Sequence, residues 1–155
     1  MATQKLQVGR ALPVIPSDNC DVPFPAVNAS GINDSFSAFK LVDTTQTFIT
    51  KNIQVGDIVY NTTNFLGSVV TKVDSETTLS LANNIFTGPT KSYTIYAGGN
   101  NDGAVLYIGG AGDLVVTTIG GDKVTFSGVL AGQFIPVKIS KVWSATSATL
   151  ILALW

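Results

Sequence analysis

The feature that most constrains this chain is a rhythm. From residue 41 to the end, short runs of β-branched and aromatic residues alternate with turn-forming residues. The runs fall at 41–43, 58–61, 68–74, 78–81 and 93–96, then at 104–108, 114–118, 123–127, 134–142 and 148–155. Alternating short runs bounded by Gly, Asn, Asp and Ser read as strands, and no stretch carries the three-and-four apolar spacing of an amphipathic helix. The predicted class is all-β. In 68–74, strict alternation places Val69, Thr71 and Val73 on one face and Lys72 and Asp74 on the other. Val55-Gly56-Asp57 puts a turn directly before one strand, and Asp74-Ser75-Glu76-Thr77 predicts a hairpin.

The punctuation divides the chain into three parts. Residues 1–40 hold Pro13, Pro16, Pro23 and Pro25 among Asp, Asn, Ser and Gly. Because proline fixes φ and removes a donor, this part is predicted to be an extended arm with turns, held by contacts to a neighbouring subunit. Residues 41–97 form a small β-barrel or sheet module of about five strands. The glycine-rich segment 98–103 leads into an antiparallel β-sandwich body over 98–155. Removing residues 1–24 is then expected to leave a folded body that has lost its contact with neighbouring subunits of a larger assembly.

The last strand stands apart, because Leu150, Leu152 and Leu154 line one face and Ile151, Ala153 and Trp155 the other. With both faces apolar, it suits either a central sandwich position or a subunit interface. The predicted interface joins Leu6, Val8, Leu12, Val14, Ile15 and Phe24 of the arm to Leu150, Leu152, Leu154 and Trp155 of this strand.

Charge bears on partners. Asp, Glu, Lys and Arg make up 12% of the residues, about half the ~25% of an ordinary soluble domain. Interface cores are depleted in charge, so this composition suits a protein covered by its neighbours, as it does a polar uncharged monomer. The formal net charge is −1 with no Lys or Arg cluster, which argues against nucleic acid as a partner. The start, Met-Ala-Thr-Gln-Lys, leads into an apolar stretch too short and interrupted for a signal sequence or membrane span.

Catalysis is not expected, and neither is a cofactor. There is no histidine, which removes Ser-His-Asp and Cys-His constellations and the common transition-metal sites. Cys20 is the single cysteine, predicted to be a plain thiol. The carboxylates Asp43, Asp57, Asp113 and Asp122 sit in turn contexts. Gly109-Gly110-Ala111-Gly112-Asp113 has the glycine content of a phosphate loop but precedes a strand, so it is predicted to be a hairpin turn. Asn28, Asn33 and Asn61 begin glycosylation-like triplets, read here as chance matches in an Asn- and Thr-rich chain. Trp143 and Trp155 are expected to be buried in a core or an interface.

Two ordered patterns extend the reading. Leu106-Tyr107-Ile108-Gly109-Gly110-Ala111-Gly112, Val115-Val116-Thr117-Thr118 and Gly120-Gly121-Asp122-Lys123-Val124-Thr125-Phe126 are followed by Val129, Gly132 and Ile135-Pro136-Val137. Together with Ala148-Thr149 and the closing Ala153-Leu154-Trp155, they resemble the head-spike base proteins of gene transfer agents and related phage virion proteins. Residues 41–96, through Val55-Gly56-Asp57-Ile58-Val59-Tyr60-Asn61-Thr62-Thr63 and Tyr93-Thr94-Ile95-Tyr96, are similar to a module of phage structural proteins. The arm and this inserted module are where the chain departs from the short spike-base proteins. The resemblance implies a virion structural protein of a tailed phage, made in the host cytoplasm and placed on the capsid exterior. Its role would be decoration, cement or head-spike base, with copies of itself, as a trimer first, and the major capsid protein as partners. The competing expectation is a tail or fibre component that binds a host glycan through the loops near 61–66 and 100–102.

Overall fold

The computed structural model describes residues 8–99 and 102–155, and none of them is helical. Twelve strands among these residues form two six-stranded antiparallel sheets, so the protein is all-β. The first sheet combines β1 (Ala11–Pro13) with β8 (Ala104–Gly110), β9 (Gly112–Thr118), β10 (Lys123–Val129), β11 (Phe134–Val142) and β12 (Thr149–Leu154), in the order β1-β12-β8-β11-β9-β10. The second combines β2 (Val27–Ile32), β3 (Lys40–Val42), β4 (Ile58–Asn61), β5 (Leu66–Val73), β6 (Thr78–Leu81) and β7 (Ser92–Tyr96), in the order β2-β7-β4-β5-β6-β3. Every run of the period-two pattern became a strand within a few residues of its predicted bounds.

The first sheet curls into a half-barrel. Its strand alternation sends Leu106, Ile108, Leu114, Val116, Ile135 and Ile139 inward, each at most 2% exposed. β11 is long enough to pair with β8 through Phe134 and Ile135 and with β9 through Lys141 and Val142. β8 and β9 therefore flank β11 and do not pair with each other. This corrects the predicted hairpin turn at 109–113: the glycines bend one path of chain around a corner, as Gly does in curved sheets. A Cβ on Gly112 would lie 2.5 Å from the Ala148 amide nitrogen, so only glycine lets the corner pass the start of the last strand.

The arm is extended, but the contacts that hold it are made by its own chain. β1 pairs with β12 in the register Leu12↔Ala153. The Val14, Ser17 and Val22 amides then donate to the carbonyls of Ile151, Val142 and Ser140. Leu12, Ile15, Cys20 and Val22 are buried in one core with the half-barrel interior and with Ile58, Tyr60 and Tyr96 of the second sheet. Prolines suppress helix here, and the apolar residues between them pack into the half-barrel of their own chain. β2 had no strand signal among its Asn, Ser and Gly residues, and it is strand because β7 offers it a ladder from Val27↔Tyr96 to Ile32↔Ser92.

The second sheet is covered on both faces around β4, all four of whose residues are buried. Ile58 and Tyr60 face the shared core, whereas Val59 joins a second core with Leu41, Phe48, Val70, Leu79 and Ile95. In β5 the pairing steps from Val70↔Leu81 to Lys72↔Ser80, leaving Thr71 as an extra residue. That bulge overturns the predicted face: Val69 packs against the first core and Val73 against the second. Asp74, just past β5, binds Lys40 Nζ at 2.8 Å and Ser80 Oγ at 2.6 Å, with Lys72 Nζ at 3.2 Å. Hydrogen bonds from Lys40 and Ser80 hold its carboxyl down to about 2.

Two outcomes follow from these contacts. Deleting residues 1–24 removes four core side chains and the β1 ladder, so the remainder is expected to lose its cooperative unfolding transition in urea; a truncated protein with a wild-type transition would contradict the arm's place in the core. Asp74, with its pKa depressed, adds stability that is present above about pH 4, the ordinary carboxylate range, and is lost as pH falls towards 2. Asp74→Asn should therefore be less stable than wild type at pH 7, and the two urea midpoints should converge near pH 2.

Candidate functional site

The carboxylates are consumed by backbone. Asp57 accepts from the amides of Gln54 and Gly98, each at 3.0 Å, and Asp113 accepts from Gly128 N at 2.8 Å. Glu76 receives the Ile49 and Thr50 amides and the Thr50 hydroxyl, bonds that outweigh desolvation and lower its pKa. Asp43 does more than close its turn. Its Oδ1 accepts from Thr45, and its Oδ2 accepts from the buried Tyr93 hydroxyl at 2.7 Å. Burial pushes Asp43 up, but hydrogen bonds from Thr45 and Tyr93 bring it below the usual carboxylate range. No group of three or more His, Cys, Asp or Glu stands ready for a metal ion among the described residues.

Other singled-out residues are also held inside the fold. Asn33 and Asn61 are fully buried, with their side-chain amides donating to the carbonyls of Gly88 and Ile85, so neither is presented for glycosylation. Cys20 is buried, and desolvation pushes its thiol up to about 11, well removed from thiolate chemistry. Trp143 is half-buried, its Nε1 donating to Thr117 Oγ1 and its ring lying 3.7 Å from Lys123 Nζ. Trp155 meets Phe24 edge-on at 5.6 Å. Residues 100 and 101 of the predicted polar loop lie outside the described residues.

What remains is apolar surface. A groove of about 740 Å³ opens between the turn leaving β1, the start of β12 and the β4–β5 loop. Its walls carry Val14, Ile15, Leu150 and Leu152 together with Tyr60, Phe65, Tyr96 and Tyr107, and no charged residue. Four of the ten predicted interface residues are thus brought together here. Val8, Leu154 and Trp155 meet at a separate, smaller depression, Leu12 is in the core, Phe24 packs on Trp155, and Leu6 lies outside the described residues.

From the groove an apolar row crosses the outer face of the half-barrel. Pro13 pairs with Leu152, Leu152 with Tyr107, and Tyr107 with Phe134, and partners opposite each other in antiparallel strands project to the same face. The Tyr107 and Phe134 rings lie 5.1 Å apart. Of the two apolar faces of the last strand, one is buried in the core through Ile151 and Ala153, whereas the other is open, with Leu150 79% exposed.

Two rim residues combine exposure with strain. Phe65 is 72% exposed at φ 55°, and Leu150 has φ 51°. Phe65 closes the loop between Asn61 and Leu66, which are paired. Asn61 Oδ1 accepts the Thr63 and Asn64 amides and winds the loop tightly. The closing position needs left-handed backbone, normally given to Gly or Asn. Leu150 lies over Gly109, where an added Cβ would come 2.6 Å from Leu150 Cβ. A bulky residue in this conformation costs roughly 1–2 kcal/mol, and neither side chain recovers that by burial. Sequence reading singled out Leu150 but missed Phe65, although an apolar residue directly after Asn61-Thr62-Thr63-Asn64 is a readable signal for it.

Phe65→Gly is expected to leave thermal stability unchanged or raise it by up to about 1 kcal/mol, since relief of strain outweighs the loss of an exposed ring; a clear fall in the melting temperature would mean that the ring packs within the monomer. Compared with protein-family models, with curated proteins and with solved structures, the chain matches none.

Proposed function

We propose that this protein is a structural subunit of a tailed-phage particle that decorates or cements the capsid surface, or seats a head spike, by protein-protein contact alone. The observation that carries the reading is the uncharged apolar face that runs from the groove across Leu152, Tyr107 and Phe134. Monomeric soluble proteins keep such patches small, and strained apolar residues held in solvent persist where a contact uses them. The sequence resemblance over the last third of the chain supplies the virion setting, and the low charge content agrees with a surface covered by neighbours. Its partners in this reading are further copies of itself and the major capsid protein.

A second reading has its own observation. Beside the β4–β5 loop lies a depression with Ser17, Asp18, Asn19, Asn83, Asn84 and Ser144 on its walls, a set of hydroxyl, amide and carboxylate groups of the kind that holds sugar hydroxyls. A tail or fibre component that recognises a host glycan would use it.

The test is the copy number of this protein in purified particles, from quantitative mass spectrometry normalised to the major capsid protein. Near one copy per capsid subunit is expected for cement or decoration, and a few per hundred for a spike base. Absence from washed particles would overturn the virion reading.

A further inference from the structure

We infer that the groove is one half of an isologous contact between two copies of this chain, in which Phe65 and Leu150 of each copy enter the groove of the other. The inference rests on the assembly reading above and names its surface and partner.

The reasoning starts from the cost of the two rim residues. Each holds a large apolar side chain in water in a backbone conformation that disfavours it, so neither the fold nor solvation accounts for either. Both stand on the rim of a single hole, whose walls are apolar and aromatic. A projection beside a cavity of matching chemistry is what a two-fold axis requires: the same patch must serve as donor and recipient, so residue i meets residue j while j meets i.

Charge and size point the same way. A self-complementary face that carries charge of one sign brings like charges together across the contact, which is costly. The groove walls and the row Pro13, Leu152, Tyr107 and Phe134 carry no charge, so nothing opposes self-contact there, and a charged partner would find no counter-ion. The total surface is 7871 Å², and a standard interface takes roughly 800 Å² from each partner, about a tenth of it.

The test uses the full chain. Phe65→Asn and Leu150→Asn place a polar residue that tolerates left-handed backbone at positions that contribute little to the core, so both variants should fold. Val55→Asn, at the opposite end of β4 and 66% exposed in wild type, is the control. Sedimentation velocity over a wide concentration range should show a wild-type dimer or higher oligomer, the same behaviour for Val55→Asn, and association at least about tenfold weaker for each groove variant, with melting temperatures kept or raised. A wild-type protein monomeric throughout would overturn the inference, as would native mass spectrometry showing a monomer that carries a small apolar molecule. An oligomer unaffected by both substitutions would place the contact elsewhere and also overturn it. The virion reading is scored separately, by retention of each variant on particles: a monomeric protein still bound to capsids sinks the self-contact and leaves that reading standing, whereas a groove-dependent dimer absent from particles does the reverse.

Discussion

The structure depends on a meeting between its two ends. The Gly9 and Arg10 amides donate to the Trp155 carbonyl, the Trp155 amide returns a bond to Arg10, and β1 then runs antiparallel to β12. From this anchor, residues 14–22 are laid across the half-barrel, and their apolar side chains fill the space between it and the second sheet. Without that filler the two sheets would have little in common, since each is otherwise built from its own stretch of chain. The arrangement couples the first described residues to the last, a contact of nearly maximal sequence separation. Contacts of that kind close late, because the loop entropy must be met before they return anything. The half-barrel and the second sheet are thus expected to form before the arm locks them together.

Scarcity of charge shapes the rest. With 10 acidic and 9 basic residues in the chain, carboxylates are placed where backbone amides need acceptors: Asp57 ties the turn before β4 to Gly98, Asp113 ties β9 to the bulged end of β10, and Glu76 holds the turn at 47–50. These bonds are charge-assisted and stronger than neutral ones, and they connect segments far apart in sequence. The same spending leaves few ions for the surface. Edge protection is shared: of the four edge strands, β1 and β3 have only three residues each and β1 ends on Pro13, which cannot donate, whereas β2 and β10 are longer.

Most strands were legible because period two is a direct image of the pleat, and in β8, β9 and β12 one face is core while the other is not. What was illegible has specific physical causes. β1 and β2 take their conformation from partners, not from propensity, so Pro13, Asn28 and Ser30 carried no strand signal. The Thr71 bulge moves Val69 and Val73 to opposite faces, and a one-residue insertion leaves no trace in composition. The corner at Gly109–Gly112 looked like a hairpin because glycine marks both, and only the length of β11, which reaches β8 and β9 in turn, separates the two cases. Of the site, the apolar outer face of the last strand was readable in Leu150, Leu152 and Leu154. The groove was not, since the stretch from Tyr60 to Phe65, Tyr96 and Tyr107 come from three separated segments.

Sequence alternation alone would have made the last strand unremarkable had its outer face carried Thr or Lys, as β10 does with Lys123 and Thr125. Its leucines add nothing to the core that Ile151 and Ala153 do not already supply, and Leu150 is held there against its backbone preference. An exposed leucine is common enough to need no explanation, but an exposed leucine in left-handed backbone, facing an exposed phenylalanine in the same state across an uncharged groove, is a conjunction that folding alone would remove. Either residue could become Asn or Gly with a gain in stability and solubility. That conjunction at one groove is the observation from which the self-contact is inferred.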